Sequence, residues 1–540
     1  MKTASMNSAP AKQVPAQEPP AAPAAEQTAP RFDEDWLPVI IGGLMVFLVL
    51  LGVRLALPSF KWQTGTEFAA AAARLQPALG RLISEADSQG QVELAGAGRK
   101  LDTALSAADR PATGVTAAEL AAAGKTLGDT SAAKSAAGLA KSAADAAALR
   151  IGTVFSGKNL LASLYVGLAY LVLAGLGVFL LRGRLLPFLA GFPVVYALSW
   201  LAQLVAGNAG VNYLGLEYVI FSLLLGLFIS NVIGVPAWLK EAVRTEYYIK
   251  TGLVVLGAGI LFPEILQAGA LGILQALAVV CVVWYACYWV ARRLKVDEEF
   301  AVMLSSAVSI CGVSAAIAAC GAIKGDKKKL SYVISLTLIV AVPMMVAMPW
   351  IARLLGIGDA VAGAWMGGTL DTTGSVVAAA SLISEKAMRI GTIVKFSQNV
   401  LIGVAAFVLS LWWTLSGKGG NGAKDGNGGA IQRPGARVIW DRFPKFVLGF
   451  LGMSLLFSFL LSPGLVKQTK GLLVGLRTVW FSLAFVSIGL ETRFSKLVGM
   501  GKGKPALAFL AAQAFNVLWT LLLAYLLFGG KILPLPPMIK

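Results

Sequence analysis

The sequence contains no histidine, which excludes histidine-based catalysis, histidine metal ligation and histidine proton relays. Its four cysteines (Cys281, Cys287, Cys311 and Cys320) lie in or beside apolar segments, so neither a disulfide framework nor a zinc site is indicated. Charged residues make up only 14% of the 540 residues, whereas a soluble domain has roughly 25%. The sequence shows neither a P-loop nor a nucleophile–base motif, so we expect no primary pump, no enzyme and no cofactor.

What the sequence does have is a series of long apolar runs. It is 57% hydrophobic, and its mean hydropathy is +0.73. Runs of about 20 apolar residues are long enough to cross a bilayer as helices, and a lipid environment favours helices over open sheets. The net charge of +18 comes largely from basic residues in short loops, a pattern typical of membrane topology, so we expect no nucleic acid partner. The sequence therefore predicts an all-α polytopic membrane protein in a lipid bilayer.

Composition divides the chain into six parts. They are a disordered cytoplasmic tail (1–35), a first transmembrane helix (36–58), an Ala-rich helical insertion (59–158), a second transmembrane helix (159–184), a membrane domain (185–528) and a short tail (529–540). Within the membrane domain we expect spans near 185–206, 216–234, 251–270, 271–291, 331–356, 390–415, 445–462, 473–491 and 505–528. The distribution of Lys and Arg among the loops predicts a multi-pass membrane protein with a cytoplasmic N-terminus and an extracytoplasmic insertion. The insertion is either an Ala-rich spacer or a binding domain.

Two stretches of the membrane domain resemble each other. Ile249-Lys250-Thr251 and Leu476-Arg477-Thr478 each begin a Leu- and Gly-rich span, and each follows a loop that contains Pro and Lys. The charge pattern directs the two spans oppositely across the membrane. Inverted repeats of this kind are typical of secondary transporters, although Leu- and Gly-rich spans also resemble each other through composition alone. The repeat predicts that 185–528 is a transporter domain with two inverted repeats.

Two apolar segments, 299–325 and 361–385, are unusually rich in Gly, Ser and Thr. Such residues allow a helix to break at membrane depth, and the second half then starts with unpaired N–H groups that favour an anion. Each segment either crosses as a discontinuous helix or returns as a re-entrant one, and close helix packing is an alternative reason for the small residues. The candidate substrate- or ion-binding residues are Ser309, Cys311, Gly312, Ser314, Thr369, Asp371, Thr372, Thr373, Gly374, Ser375, Lys395, Gln398 and Asn399.

Asp371 is the most informative single residue. An ionised side chain in mid-membrane costs about 2.5–3.5 kcal/mol on insertion scales and is usually functional. Lys395 lies in a polar patch of the following span. It pairs with Asp371, contacts an anion directly, or extends toward the membrane surface.

Residues 185–528 resemble the YeiH-type family of bacterial membrane proteins, named for sulfate export. The resemblance rests on Ser309-Ile310-Cys311-Gly312-Val313-Ser314, on Gly368-Thr369 with Val376-Val377-Ala378-Ala379, on the span after Lys250 and on Ile488-Gly489-Leu490. It implies a location in the bacterial inner membrane and a fold of the cation/proton antiporter and anion transporter group, with inverted repeats and discontinuous helices. Many relatives carry His-Glu where this sequence has Asp371-Thr372, so any proton coupling would depend on Asp371.

These observations favour a secondary transporter that exports a small anion, such as sulfate or a related sulfur oxyanion or sulfonate, bound between the interrupted segments. One alternative is a cation/proton antiporter that uses Asp371. Another is a membrane scaffold or sensor that acts through the insertion. The partners expected are the bilayer, the anion and a coupling proton or cation. A homodimer is a further possible assembly.

Overall fold

The computed structural model describes residues 35–128, 130–213, 216–416, 440, 443–493 and 503–530. The expected disordered tail lies outside these residues except for Asp35, and so does the expected tail 529–540 after residue 530. The described residues form helices and no strand, with one isolated bridge between Trp62 and Asn208. The all-α prediction is therefore confirmed.

The described residues begin with a short apolar helix, and a separate helical unit follows it. The first elements are α1 (Trp36–Leu50), α2 (Gly65–Ser88), α3 (Val92–Ser106), α4 (Arg110–Lys125), α5 (Ser131–Ala148) and α6 (Ile151–Val154). Helix α1 ends before the expected residue 58, because Gly52 adopts a left-handed conformation (φ +96°) and interrupts the helix. Helices α2–α5 have their own core of Leu and Ala side chains.

The next helices are α7 (Gly157–Leu180), α8 (Leu185–Ala206), α9 (Ala209–Tyr213), α10 (Tyr218–Phe228), α11 (Ala237–Lys240), α12 (Thr245–Gly257) and α13 (Phe262–Arg293). The expected spans 251–270 and 271–291 are wrong. The break falls earlier, at residues 258–261, and α13 is a single helix of 32 residues. Pro263 explains this start, since a proline fits the first turn of a helix, where its missing N–H is not needed.

The remaining helices are α14 (Glu298–Ser309), α15 (Gly312–Ile323), α16 (Lys327–Leu354), α17 (Asp359–Thr369), α18 (Thr373–Ser381), α19 (Glu385–Leu415), α20 (Phe446–Leu455), α21 (Pro463–Glu491) and α22 (Lys504–Phe528). Helices α10 and α20 each end in a π-helical turn, Ile229–Ile233 and Leu456–Leu460. In the described residues, seven helices are long and apolar enough to cross a membrane: α7, α8, α13, α16, α19, α21 and α22. The polytopic prediction is thereby confirmed.

The two repeat-like stretches lie side by side. Thr251 belongs to α12 and Thr478 to α21, and these two helices pack against each other. Helix α12 also packs on α20, while α21 packs on α10, so each contacts a helix that ends in a π-turn. The interrupted segments 299–325 and 361–385 pack in a bundle with α13, α16, α19 and α22.

Candidate functional site

The two Gly- and Ser-rich segments each form two short helices joined by a non-helical tip. The first tip is Ile310–Cys311, between α14 and α15, and the second is Leu370–Thr372, between α17 and α18. The Gly312 amide, which directly follows the first tip, donates a hydrogen bond of 2.8 Å to the Asp371 carbonyl in the second tip. The tips therefore touch each other through their backbones.

In the first helix pair, α14 and α15, the chain turns back at the tip, so that the end of α15 lies near the start of α14. At the start of α16, the Lys329 ammonium lies 2.5 Å from an Asp297 carboxylate oxygen and 3.1 Å from one of Glu299. Asp297 and Glu299 mark the start of α14, and Lys329 follows α15 directly. Helices α14 and α15 thus form a helical hairpin.

The second helix pair also returns on itself. The Ser384 hydroxyl, just before α19, donates 2.7 Å to a carboxylate oxygen of Asp359 at the start of α17. Arg353, at the far end of α16, donates to the Leu382 carbonyl beside the same base. A helix of 28 residues is about 42 Å long, so the bases of the two hairpins lie at opposite ends of α16.

Side chains of α19 satisfy the carbonyl groups that the helix ends leave unpaired. The Lys395 ammonium donates 2.6 Å to the Ile310 carbonyl and 2.9 Å to the Gln398 side-chain oxygen. The Gln398 amide donates in turn to the carbonyls of Ser309 and Gly368, at 2.9 and 3.1 Å. A cation at a helix C-terminus also complements the negative end of its dipole. Lys395 is only 1% exposed, so its ammonium group is held inside the protein against the first tip.

Helix α22 supports the same tips from another side. Gln513 and Asn516 donate to the Thr369 carbonyl at 3.1 and 3.3 Å, and Asn516 also donates to the Val308 carbonyl at 3.2 Å. Sequence reasoning missed these two residues. The available signal was their spacing, because Gln513, Asn516 and Thr520 fall on one face of an otherwise apolar helix.

Asp371 is the middle residue of the second tip. The residue is 2% exposed, and neither of its carboxylate oxygens has a hydrogen-bond partner in the part of the chain that the structure describes. It interacts electrostatically with Lys395, but the two form no ion pair within 4 Å. The ammonium and carboxylate groups are therefore not in direct contact, and the burial of Lys395 contradicts its predicted extension toward the membrane surface.

The first turns of α15 and α18, which are the second helices of the two hairpins, face a cavity. A cavity of about 340 Å³ is lined by Thr372, Gly374 and Ser375 of the second hairpin and by Val313 of the first. The Thr372 hydroxyl accepts 3.1 Å from the Ser375 amide and lies 2.7 Å from the Ser375 hydroxyl. A smaller cavity of about 70 Å³ shares Thr372 and Val313 and adds Ser314, Thr373 and Asn399. The positive ends of α15 and α18 thus lie beside space for a ligand.

Charged residues of α12 and α21 complete the larger cavity. Arg244, Glu246 and Lys250 come from the start of α12, and Glu491 comes from the end of α21. Lys250 also lies 2.7 Å from Asp35, and Arg244 pairs with Glu241. None of these residues is predicted for the site from the sequence, since they are distant in sequence from the interrupted segments.

Comparison with known proteins identifies the family. Residues 190–508 match the family model described as conserved hypothetical protein 698. The chain belongs to this family. The resemblance to YeiH-type membrane proteins is thereby confirmed.

Two relatives in this family show how far the similarity extends. A membrane protein of Rhodopirellula baltica is 43% identical over 371 residues, which cover 66% of this chain and 67% of the relative. A membrane protein of Nitratidesulfovibrio vulgaris is 39% identical over 354 residues, covering 63% of this chain. The match spans only 59% of that second relative's length. No solved structure matches the chain.

Within this family member, the candidate residues fall into two groups. Those that line one or both cavities are Cys311, Ser314, Thr372, Thr373, Gly374, Ser375 and Asn399. Those that lie behind the tips without lining either cavity are Ser309, Gly312, Thr369, Asp371, Lys395 and Gln398. Residues of the first group are thus placed to contact a ligand directly. Residues of the second group support the tips or carry buried charges near them.

Proposed function

We propose that this protein is a secondary transporter of a small anion, bound in the cavity where the two hairpin tips meet. One observation carries the proposal. The starts of α15 and α18 lie beside the same cavity, and their tips are joined by the Gly312–Asp371 hydrogen bond. Half-helix N-termini directed at a shared site are a recurrent means of binding anionic groups in transporters.

Hydroxyl groups and basic side chains support the same substrate class. Thr372 and Ser375 place two hydroxyls at the start of α18, and Lys250 and Arg244 place two cations on the cavity wall. Sulfate and related sulfur oxyanions or sulfonates are the anions we propose, and we propose export. Binding and release of the solute involve no catalytic step.

The buried charges provide a coupling element. Asp371 belongs to the second tip, and its buried carboxylate has no hydrogen-bond partner among the described residues, so a change in its charge acts directly on the backbone of the tip. Lys395, fixed to the Ile310 carbonyl, supplies the opposite charge behind the first tip. We propose that Asp371 takes up the coupling proton or cation.

The placement in the membrane is part of the proposal. The charge distribution of the loops orients Asp35 and the base of the first hairpin toward the cytoplasm, and places α2–α6 outside the bacterial inner membrane. The two hairpins then enter from opposite sides, as inverted repeats require.

A cation/proton antiporter is the second candidate. The observation that favours it is the unpartnered Asp371 carboxylate, whose two oxygens are free to bind a cation. This alternative makes Asp371 the substrate ligand instead of the coupling group.

Reconstitution in liposomes tests these functions. Flux of labelled sulfate and of small sulfonates would be measured with and without a proton gradient, for wild type, Asp371→Asn and Thr372→Val. We expect both substitutions to reduce anion flux at least tenfold. Thr392→Val is the matched control, since among the described residues the Thr392 hydroxyl donates only to the Met388 carbonyl of its own helix.

Three outcomes separate the hypotheses. Anion flux that survives both substitutions would contradict the site. Cation flux that requires Asp371, without anion flux, would establish the antiporter. No flux of any solute would favour a scaffold or sensor that acts through the external helices.

A further inference from the structure

The apolar helices pack in two bundles. One contains α13–α19 and α22, and therefore both hairpins, while the other contains α1, α7, α8, α10, α12, α20 and α21. Each helix packs mainly within its own bundle, and between the bundles α18 contacts α12 and α21. Both cavities lie at this junction, because Val313 of the first bundle and Lys250 of the second line each of them.

The junction is open at one end. The cavity wall there comes from the start of α12 and the end of α21, and it includes Glu246, whose side chain is 62% exposed. Lys250 on the same wall pairs with Asp35, the residue just before α1. The loop charges assign this end to the cytoplasm. The cavity therefore reaches the cytoplasmic surface in the proposed orientation.

An ion pair joins the two bundles farther from this opening. The Arg477 guanidinium of α21 donates 3.1 Å to each of the two carboxylate oxygens of Glu385. Glu385 begins α19, directly after the base of the second hairpin. Arg477 precedes Glu491 on the cavity wall by 14 residues, which is about 21 Å along the helix. The pair thus lies toward the extracytoplasmic side of the junction.

The Arg477–Glu385 pair is strong and yet separable. Arg477 is 6% exposed, and its guanidinium lies 5.9 Å from the ring centre of buried Phe481, so its charge needs a partner. Two parallel hydrogen bonds to one carboxylate make this pair stronger than an ordinary surface ion pair. The Glu385 side chain is 46% exposed and also lies 3.5 Å from Arg389 of its own helix. Glu385 can therefore leave Arg477 without burying an uncompensated carboxylate.

We propose that the Arg477–Glu385 pair is a latch that keeps the extracytoplasmic side of the site closed. While the pair is formed, the cavity opens to the cytoplasm; when it breaks, the bundles separate at this end and the cavity opens to the outside. A transporter of this kind exposes one site to each side in turn, as one bundle moves against the other. This inference rests on the proposed function, to which it adds the element that sets the balance between the two open states.

Access of a thiol reagent to the cavity tests the latch. Val313→Cys places a reporter on the walls of both cavities, in a background in which Cys281 and Cys311 are replaced by Ser. An impermeant reagent would be added to right-side-out and to inside-out vesicles. We expect labelling from outside to be at least about fivefold faster in Arg477→Gln and in Glu385→Gln than with the intact pair, a ratio that corresponds to about 1 kcal/mol. Labelling from the cytoplasmic side should be unchanged or slower.

Further variants separate the latch from general loosening. The charge exchange Arg477→Glu with Glu385→Arg should restore slow labelling from outside. Arg99→Gln is the matched control, because Arg99 and Asp87 form an equivalent two-bond pair, at 3.0 and 3.1 Å, on the external helices. Fully buried Cys287 should stay unlabelled in every variant, and its labelling together with the reporter would count against the latch.

Unchanged labelling from outside in both single variants would overturn the latch, while sulfate flux in the wild type would leave the proposed function intact. The latch would also be overturned if the two Gln substitutions together accelerated labelling as independent effects, since members of one pair act non-additively. Absence of flux for every solute in the wild type would overturn the proposed function, whatever the labelling shows.

Discussion

The electrostatic coupling of Lys395 and Asp371 makes the sharpest quantitative prediction. Lys395→Met removes the donor to the Ile310 carbonyl, which is 2.6 Å away, and leaves the Asp371 carboxylate without its buried countercharge. Breaking a buried ion pair from one side costs about 3–5 kcal/mol, and because these two charges are not in direct contact we expect the lower end of that range, about 3 kcal/mol. The double variant, with Asp371→Asn added, leaves only the unpaired carbonyl, at about 1–3 kcal/mol. We therefore expect the double variant to be about 2 kcal/mol more stable than Lys395→Met alone.

A double-mutant cycle measures this difference. The free energy of unfolding would be determined in mixed micelles for wild type, both single variants and the double variant. The control cycle uses Lys100 and Glu119, an exposed pair 3.0 Å apart on the external helices with side chains 65% and 42% exposed. There we expect a coupling of less than about 1 kcal/mol. Additive effects at Lys395 and Asp371 would refute the assignment of opposite charges behind the tips.

Three further predictions concern the tip, the external helices and the topology. Gly312→Ala should reduce stability and transport, because its Cβ would lie 2.0 Å from Thr337 Cγ2, and Thr337→Ser should restore part of both; no rescue would contradict this contact. A backbone hydrogen bond from Thr64 lowers the pKa of Glu67 below 4.5, so Glu67 stabilises the fold above that pH and loses this effect as the pH falls through its lowered value. The thermal stability lost in Glu67→Gln should therefore shrink on acidification below pH 4.5, and a pH-independent loss would argue against a charge effect. Lys328→Cys would be made in a background with the exposed Cys281→Ser substitution. The new thiol should react with an impermeant thiol reagent only after the membrane is permeabilised, and labelling from outside would reverse the proposed orientation.

The sequence was sufficient to predict the class of protein and the two places where helices are interrupted. Apolar runs of span length are a local property, and so are the Gly- and Ser-rich breaks near Ser309 and Asp371. The family followed from short motifs at those same breaks. By contrast, the boundary between α12 and α13 was predicted at the wrong residue, because an apolar run shows little contrast where a turn is buried among other helices.

Only the tertiary structure decided what each polar residue does. Lys395 and Asp371 looked like a pair by type and proximity, yet the ammonium binds the Ile310 carbonyl and the carboxylate has no hydrogen-bond partner within the described ranges. Glu246 and Glu491 are 245 positions apart in sequence and line one cavity. No local pattern determines such neighbours, because they depend on how helices distant in sequence pack. The sequence alone thus determines a membrane helix bundle with two breaks, and the packing around those breaks determines which charges face a ligand.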